Sequence, residues 1–194
     1  MKKLIIDVST DTQIVILSVL GKPEIIKTRL GKKDHSAYMI PLIDEALKEG
    51  GINIKEIDQI IVGVGPGSYT GLRVAVMTAK MLAYTNQIPL YTISSLQLLT
   101  SGYDGQITAM IDARNQNYFS GVYEQSEVVL KEGLYHLDEL KKYPNHIIIN
   151  HETIKIDLSK IEHRFMLVEN PHELIPNYLR ITEAERNHDQ KNNH

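Results

Sequence analysis

A glycine-rich loop at residues 65–71 is the segment best suited to bind a ligand. It lies between a short apolar run, which predicts a buried strand, and a segment with helical periodicity. Glycines permit close approach of the backbone, and a following helix would direct free N–H groups at a phosphate. Gly65, Gly67 and Ser68 are therefore candidate phosphate contacts, with the hydroxyl of Thr70 nearby. The loop has neither Walker A nor dinucleotide spacing, so from the residues alone a structural turn is favoured over a phosphate site.

A second polar set lies in the first predicted hairpin. Asp7 ends the first predicted strand, and Ser9 and Thr10 follow it in the turn. A carboxylate beside hydroxyls can hold magnesium and a phosphate, which makes these three residues candidate nucleotide contacts. The same residue types are common in β-turns because their side chains hydrogen-bond the local backbone. The turn is therefore the favoured interpretation.

The sequence offers little for metal, thiol or hydrolytic chemistry. It contains no cysteine, which excludes disulfides, iron–sulfur clusters and thiol nucleophiles. Its eight histidines form no helical HxxxH or HExxH pair, and His35, before a predicted helix, is interpreted as a solvated or capping residue. No Gly-x-Ser-x-Gly elbow supports a hydrolase, and Asp112 with Arg114 predicts a surface ion pair rather than a substrate site. We therefore predict no metal site and no catalytic residue.

The composition is that of an ordinary globular chain. Of the 194 residues, 42% are hydrophobic and 23% are charged, and no run of about 18 apolar residues predicts a membrane span. The 21 basic and 24 acidic side chains leave a net charge of −3, which argues against binding nucleic acid unaided. The N-terminal apolar run is too short for a signal peptide, so we expect a cytoplasmic protein.

The hydrophobic pattern predicts an α/β protein with two lobes. Glycines bracket residues 102–105 and mark the boundary, which gives an N-terminal lobe at 1–102, a reduced C-terminal lobe at 103–186 and a polar, disordered tail at 187–194. The predicted strands are 3–8, 12–19, 24–29, 60–64, 90–92, 107–112, 117–124, 128–135 and 146–149. The predicted helices are 36–49, 72–84, 94–100 and 137–142.

The two longest predicted helices carry more apolar surface than one buried face needs. On the helix at 72–84, one stripe would pack on the sheet, while Val74, Met77 and Met81 form a second stripe roughly opposite. On the helix at 36–49, apolar side chains span an arc of about 200°. The two helices could simply cover each other, but the methionine-rich stripe favours a protein partner.

Six segments of the chain carry a recognisable signature. They are residues 5–10, 35–44, 65–73, 93–96, 110–114 and 176–185. In this order they resemble the bacterial TsaB family, also called YeaZ. The glycine loop is the most specific of these motifs, whereas the Asp-x-Ser-Thr start is shared across the wider actin, Hsp70 and sugar-kinase (ASKHA) superfamily.

The resemblance implies a two-lobe ASKHA fold with a reduced C-terminal lobe, and a role in making threonylcarbamoyladenosine at position 37 of tRNA. In that pathway the paralogue TsaD is the transferase and holds a metal through paired histidines, whereas His35 stands alone here. The chain would be a non-catalytic partner that activates TsaD, joined by the ATPase TsaE, and a homodimer when alone. It would meet tRNA only indirectly. No nucleotide is expected on the chain alone, and ATP or ADP could be held at a subunit interface.

The implied partner interface lies on the two helices of the N-terminal lobe. It comprises His35, Tyr38, Met39, Leu42, Ile43, Arg73, Val74, Met77 and Met81. The alternative function is a small kinase or ATPase of the same superfamily that acts alone, for which Asp7 and the glycine loop would serve. That alternative requires tight nucleotide binding by the isolated chain.

Overall fold

A computed structural model of the chain describes residues 1–22, 24–31, 34–125 and 127–179. The strands are β1 (Lys2–Asp7), β2 (Thr12–Val19), β3 (Ile25–Leu30), β4 (Gln59–Gly63), β5 (Leu90–Ile93), β6 (Gln106–Asp112), β7 (Asn117–Glu124), β8 (Glu127–His136), β9 (His146–Ile148) and β10 (Met166–Leu167). The helices are α1 (His35–Gly50), α2 (Tyr69–Asn86), α3 (Ser95–Thr100) and α4 (Leu137–Leu140). Short 3-10 turns lie at Ile54–Glu56, Leu158–Lys160, Glu162–Arg164 and Pro171–Glu173.

The first sheet has the strand order β10-β5-β4-β1-β2-β3 and carries the two long helices. β1, β2 and β3 form an antiparallel meander, while β4 and β5 continue from β1 as parallel strands. Side chains alternate across the pleat, so Leu4 and Ile6 of β1 face α1 and α2, and Ile5 faces the second sheet. Both faces are covered, which explains why the centres of β1 and β4 consist of consecutive apolar residues, Leu4 to Ile6 and Ile60 to Val62.

The second sheet has the order β8-β7-β6-β9 and packs on the first through α3. β6, β7 and β8 are antiparallel neighbours, and β9 pairs with β6 in parallel. Leu96 and Leu99 of α3 are fully buried in one cluster with Ile107 and Phe119 of the second sheet. This cluster joins the two sheets into a two-lobed α/β fold.

A two-residue strand far along the chain completes the first sheet. β10 pairs antiparallel with β5, with Met166 opposite Thr92 and Leu167 opposite Tyr91. The sequence pattern places these residues in the second lobe at 103–186. They pair with the first sheet instead, because the open edge of β5 offers backbone groups that a later segment can pair. Residue 102 therefore lies between the strands β1 to β5 of the first sheet and the strands β6 to β9 of the second. β10, much later in the chain, belongs to the first sheet again. The predicted tail at 187–194 lies outside the described residues.

The predicted strands and helices are confirmed, with shifts at their ends. α2 begins at Tyr69 rather than at Leu72, because the Ser68 hydroxyl accepts the N–H of Gly71 at 3.3 Å and caps the helix. Part of the glycine loop is thus the first turn of α2. No helix in the described ranges is long and apolar enough to cross a membrane.

Candidate functional site

An apolar stripe on α2 faces solvent along the length of the helix. Met77 and Met81 are 62% and 50% exposed, although methionine is usually buried. Arg73 and Tyr69 lie one and two turns before Met77, and Tyr84, near the other end, is 66% exposed. Side chains three or four positions apart share a helix face. We call this surface the α2 stripe; it consists of Tyr69, Arg73, Met77, Met81 and Tyr84.

Two other residues of the predicted interface lie beside or away from the α2 stripe. Val74 is half-buried against the core between the helices and the first sheet. Tyr38 on α1 is exposed, but the guanidinium of Arg29 covers its ring at 3.7 Å from the centroid. Arg29 belongs to β3, which the sheet order places on the side of α1 away from α2. Tyr38 is therefore not part of the α2 stripe.

The remaining residues of the predicted interface are in the core, which corrects that prediction. Met39, Leu42 and Ile43 are buried between α1 and the first sheet. α1 packs on β2 and β3 and also contacts α2, so most of its apolar arc is covered within the chain, while Tyr38 and Ile40 remain exposed. The alternative in which the two helices cover each other therefore applies to α1, but not to the α2 stripe.

His35 is enclosed rather than solvated, which corrects both predictions made for it. A Cβ placed on Gly31 would lie 2.2 Å from the imidazole, so the ring packs directly against that backbone. Burial lowers the pKa of His35, because the imidazolium would lose its hydration. The Nδ1 atom has no hydrogen-bond partner among the described residues. Within the same part of the chain, no three potential ligand side chains are grouped to hold a metal ion.

Asp7 is the centre of a buried polar network. Its carboxylate accepts the backbone N–H of Ser9 at 2.8 Å and the hydroxyls of Ser9 and Ser95 at 2.7 and 2.5 Å. Burial raises the pKa of Asp7, and these hydrogen bonds partly offset the rise. The Ser95 hydroxyl also accepts the N–H of Gly65 at 2.9 Å. The network therefore ties β1 to α3 and to the glycine loop.

The glycine loop and the first hairpin turn close on each other. The Ser68 N–H donates to the Ser9 carbonyl at 2.7 Å, and a Cβ on Gly67 would lie 2.2 Å from the same oxygen. The Thr10 hydroxyl accepts the N–H of Thr12 at 3.1 Å within the turn. The predicted nucleotide contacts thus come together, but the groups named here point at one another. A phosphate contact at these residues stays a prediction.

The Asp112 and Arg114 pair forms a turn, which corrects the predicted ion pair. The Asp112 carboxylate accepts the backbone N–H of Arg114 at 2.9 Å rather than a guanidinium N–H. Arg114 has a left-handed backbone with φ 72°. Aspartate is favoured at such turns because its side chain bonds the backbone two residues on.

A segment late in the chain is a structural partner of α2 that no pattern in the sequence predicts. Residues 166–179, called the C-terminal strap below, begin with β10 and then follow α2. The Lys80 ammonium donates to the carbonyls of His172 and Leu174 at 2.9 and 3.2 Å. The rings of Tyr84 and His172 meet edge to face, 5.1 Å apart. One end of the α2 stripe therefore rests on the strap.

The strap also reaches the other end of α2 and the glycine loop. The Asn177 N–H donates to the Val64 carbonyl at 2.7 Å, and the rings of Tyr178 and Tyr69 lie 4.7 Å apart. These residues belong to the motif at 176–185 that resembles the TsaB family, of which residues 180–185 lie outside the described residues. Such a segment has no periodicity that would show where it docks, so only the motif itself could have drawn attention to it.

A cavity of ≈ 340 Å³ lies between α3 and the second sheet. The hydroxyls of Thr100, Ser101 and Tyr103, which line it, each donate to a backbone carbonyl. Lys160, at its rim, pairs with Asp104 at 2.6 Å. Much of the polar lining is therefore engaged within the chain, and the cavity defines no ligand class.

Comparisons with known proteins identify the family of the chain. A family model described as TsaD, tRNA N6-adenosine threonylcarbamoyltransferase, matches residues 25–177. The tRNA threonylcarbamoyladenosine biosynthesis protein TsaB of Bacillus subtilis is 35% identical over 104 residues, which are 52% of this chain and 45% of that protein. The Haemophilus influenzae protein of the same name is 34% identical over 128 residues, 63% of this chain and 54% of that protein. The chain thus spans about half the length of the curated relatives it matches.

The solved structure of YeaZ from Pseudomonas aeruginosa has the same fold. It superposes with a TM-score of 0.75 at 23% identity, over 92% of this chain and 99% of that chain. The two-lobe ASKHA fold expected from the resemblance is therefore confirmed. Because the family model covers well over half of the sequence and the relatives are TsaB proteins, the chain belongs to the TsaD family, in its TsaB (YeaZ) branch.

Proposed function

We propose that the chain is the non-catalytic partner subunit of a TsaD-type transferase and activates it in the biosynthesis of threonylcarbamoyladenosine at position 37 of tRNA. The family and the names of the TsaB relatives support the pathway. The observation that carries the partner role is the α2 stripe, whose methionines and tyrosines are open to solvent.

The α2 stripe has the composition of an interface centre. Tyrosine, methionine and arginine are enriched there, and methionine adapts its flexible side chain to a partner surface. Ridges of side chains four positions apart fit the grooves of a second helix. We therefore propose that the TsaD-related partner lays a helix along Arg73, Met77 and Met81, with Val74 at the margin.

Asp7, the first hairpin turn and the glycine loop bond one another, and we call this region the junction around Asp7. Its closed arrangement supports a role without catalysis. Both carboxylate oxygens accept hydrogen bonds from serines, and the glycine loop donates to the hairpin turn. A kinase would need these groups to face a nucleotide. We propose that the chain alone holds no nucleotide, and that ATP or ADP is held where subunits of the complex meet.

The same stripe explains the assemblies we propose. Without its partner, the chain would cover the α2 stripe with a second copy, so homodimer and heterodimer would compete for one surface. The ATPase TsaE would join the assembled pair. With a net charge of −3, the chain would meet tRNA only through its partner, in the cytoplasm.

Replacement of Met77 by Asp tests the partner role. Met77 is mostly exposed, so the fold should tolerate the change, but a carboxylate buried without a partner in the complex should weaken it by about 100-fold or more. Affinity for the cognate TsaD-type transferase would be measured by calorimetry. Leu20→Asp, at an even more exposed apolar site in the turn after β2, is the control. Wild-type affinity for Met77→Asp would refute the proposed interface.

A transferase assay tests the role in the pathway. TsaD, TsaE, threonylcarbamoyl-adenylate and tRNA would be combined with and without this chain, and modification should depend on it. The kinase alternative predicts instead that the isolated chain binds ATP tightly and loses activity in Asp7→Ala. Calorimetry without any ATP or ADP binding would dispose of that alternative.

A further inference from the structure

We infer that the C-terminal strap is a positioning element of the partner-binding face: it holds both ends of the α2 stripe in the conformation that the partner recognises. This inference rests on the proposed function, because it assigns a second element to the same interface. The residues concerned lie far from α2 in the sequence and are placed there only by the fold.

The strap supports the stripe at its two ends. At the N-terminal end, Tyr178 packs on Tyr69 at 4.7 Å, and the Arg73 guanidinium donates to the Tyr69 hydroxyl at 3.2 Å. At the C-terminal end, His172 packs on Tyr84 at 5.1 Å. The strap thus contacts Tyr69 and Tyr84 of the stripe directly and Arg73 through Tyr69, whereas these contacts do not involve the two methionines. Fixing side chains before binding lowers the entropy lost on association.

Lys80 is the α2 side chain that bonds the backbone of the strap. It lies on the flank of α2 next to the stripe, and its ammonium bonds two strap carbonyls, those of His172 and Leu174. Its side chain is not among the exposed residues of the stripe. Replacement of Lys80 therefore changes the attachment of the strap without removing a side chain that the partner would contact.

The attachment of the strap is weak enough to affect binding. Met166 and Ile175 are 70% and 71% exposed, while Val168 and Leu174 are only partly buried against the core. Segments with few buried apolar contacts open at a small free-energy cost. Because apparent affinity scales with the population of the competent state, a loosened strap should weaken partner binding.

Lys80→Met tests the inference, with Lys48→Met as the matched control. Methionine retains the apolar part of the lysine stem but cannot bond the strap carbonyls, whereas Lys48 forms an exposed pair with Asp44 on α1. Hydrogen exchange in residues 166–179 should quicken in Lys80→Met, and the Kd for the TsaD-type transferase should rise about tenfold. The control should match the wild type in both measurements.

A second variant removes the ring contacts at both ends of the stripe. The double change His172→Ala and Tyr178→Ala should also raise the Kd about tenfold, while Tyr178→Phe, which keeps the ring, and His151→Ala, at an exposed histidine elsewhere, should not. Wild-type affinity in both Lys80→Met and the double variant would overturn the inference, whatever their exchange rates. If Met77→Asp still abolishes binding in that case, the proposed function stands and only the role of the strap fails.

Discussion

The α2 stripe and the junction around Asp7 are connected through the glycine loop, but they differ in which side chains they bury and which they expose. At the junction, polar side chains are buried and bond one another. Along the α2 stripe, the apolar side chains of Met77 and Met81 are left in solvent. Buried polar groups that satisfy each other specify a fold, whereas an exposed apolar surface gains free energy only when something covers it. Changes at the junction should therefore affect folding, and changes in the stripe should affect association.

The largest effect is expected for Gly67→Ala at the junction. The new Cβ would lie 2.2 Å from the Ser9 carbonyl oxygen, so the loop must shift, at a cost of about 3 kcal/mol in the free energy of unfolding. Urea denaturation would measure it. Gly21→Ala, in an open turn with φ +80, should cost only about 1 kcal/mol for backbone strain. Equal costs for the two variants would show that the junction is not tightly packed.

Ser95→Ala should have a smaller effect of the same kind. It removes a donor to Asp7 and an acceptor for the Gly65 N–H, which should cost about 2 kcal/mol in the free energy of unfolding. The folded variant should bind the transferase with unchanged affinity. Ser159→Ala, whose hydroxyl bonds Asp157 at the surface, serves as the control and should change stability by less than about 0.5 kcal/mol. A loss of partner affinity in Ser95→Ala would break the contrast between the two regions.

The double change Met77→Ala and Met81→Ala should give the opposite pattern. Alanine is a good helix former and both sites are exposed, so stability should change by less than about 0.5 kcal/mol. The Kd for the transferase should rise about tenfold, which corresponds to about 1.4 kcal/mol. Paired thermal unfolding and calorimetry would separate the two quantities, with Leu20→Ala as an exposed apolar control. Unfolding of the double variant would mean that the stripe is part of the core.

The smallest effect is expected for His35, the first residue of α1, and it concerns how the free energy of unfolding depends on pH. Burial lowers the pKa of His35 in the folded chain, so the unfolded chain takes up a proton first as pH falls. The contribution of neutral His35 to the free energy of unfolding is then fully present above pH about 6.5 and decreases below it. The slope of unfolding free energy against pH, between pH 7.5 and 5.5, should be shallower in His35→Gln than in the wild type. An unchanged slope in His35→Gln would contradict the assignment to His35.

Local periodicity was sufficient to predict most of the elements. The apolar runs of β1 and β2, the turn at residues 21–23 and the helical period of α1 and α2 predict the bounds of these elements to within a few residues. The start of α2 was placed too late because Gly71 suggested a loop, while the Ser68 cap that starts the helix depends on geometry. β10 could not be predicted, because a two-residue strand exists only through its pairing with β5.

The part of the candidate site on α2 was predictable, because the spacing of residues along a helix shows which side chains share its outer face. The second stripe on α2 was apparent from the spacing of Val74, Met77 and Met81. The apolar arc of α1 looked equally free, but Met39 and Ile43 are covered by neighbours that the sequence does not order in space. The candidate contacts at Asp7 and in the glycine loop are each predictable from their residue types, whereas their convergence and the direction of their hydrogen bonds depend on the close approach at Gly67.

The pairing of β10 with β5 has a consequence for synthesis. While the chain emerges from the ribosome, β5 is complete long before β10 has been made, and the edge of the first sheet stays open for several seconds at usual elongation rates. An unpaired edge strand is a template for pairing with other chains. The edge of β5 is therefore paired only after residue 167 has been made, and nascent chains stalled between residues 93 and 166 should be more prone to aggregate than chains that have passed it.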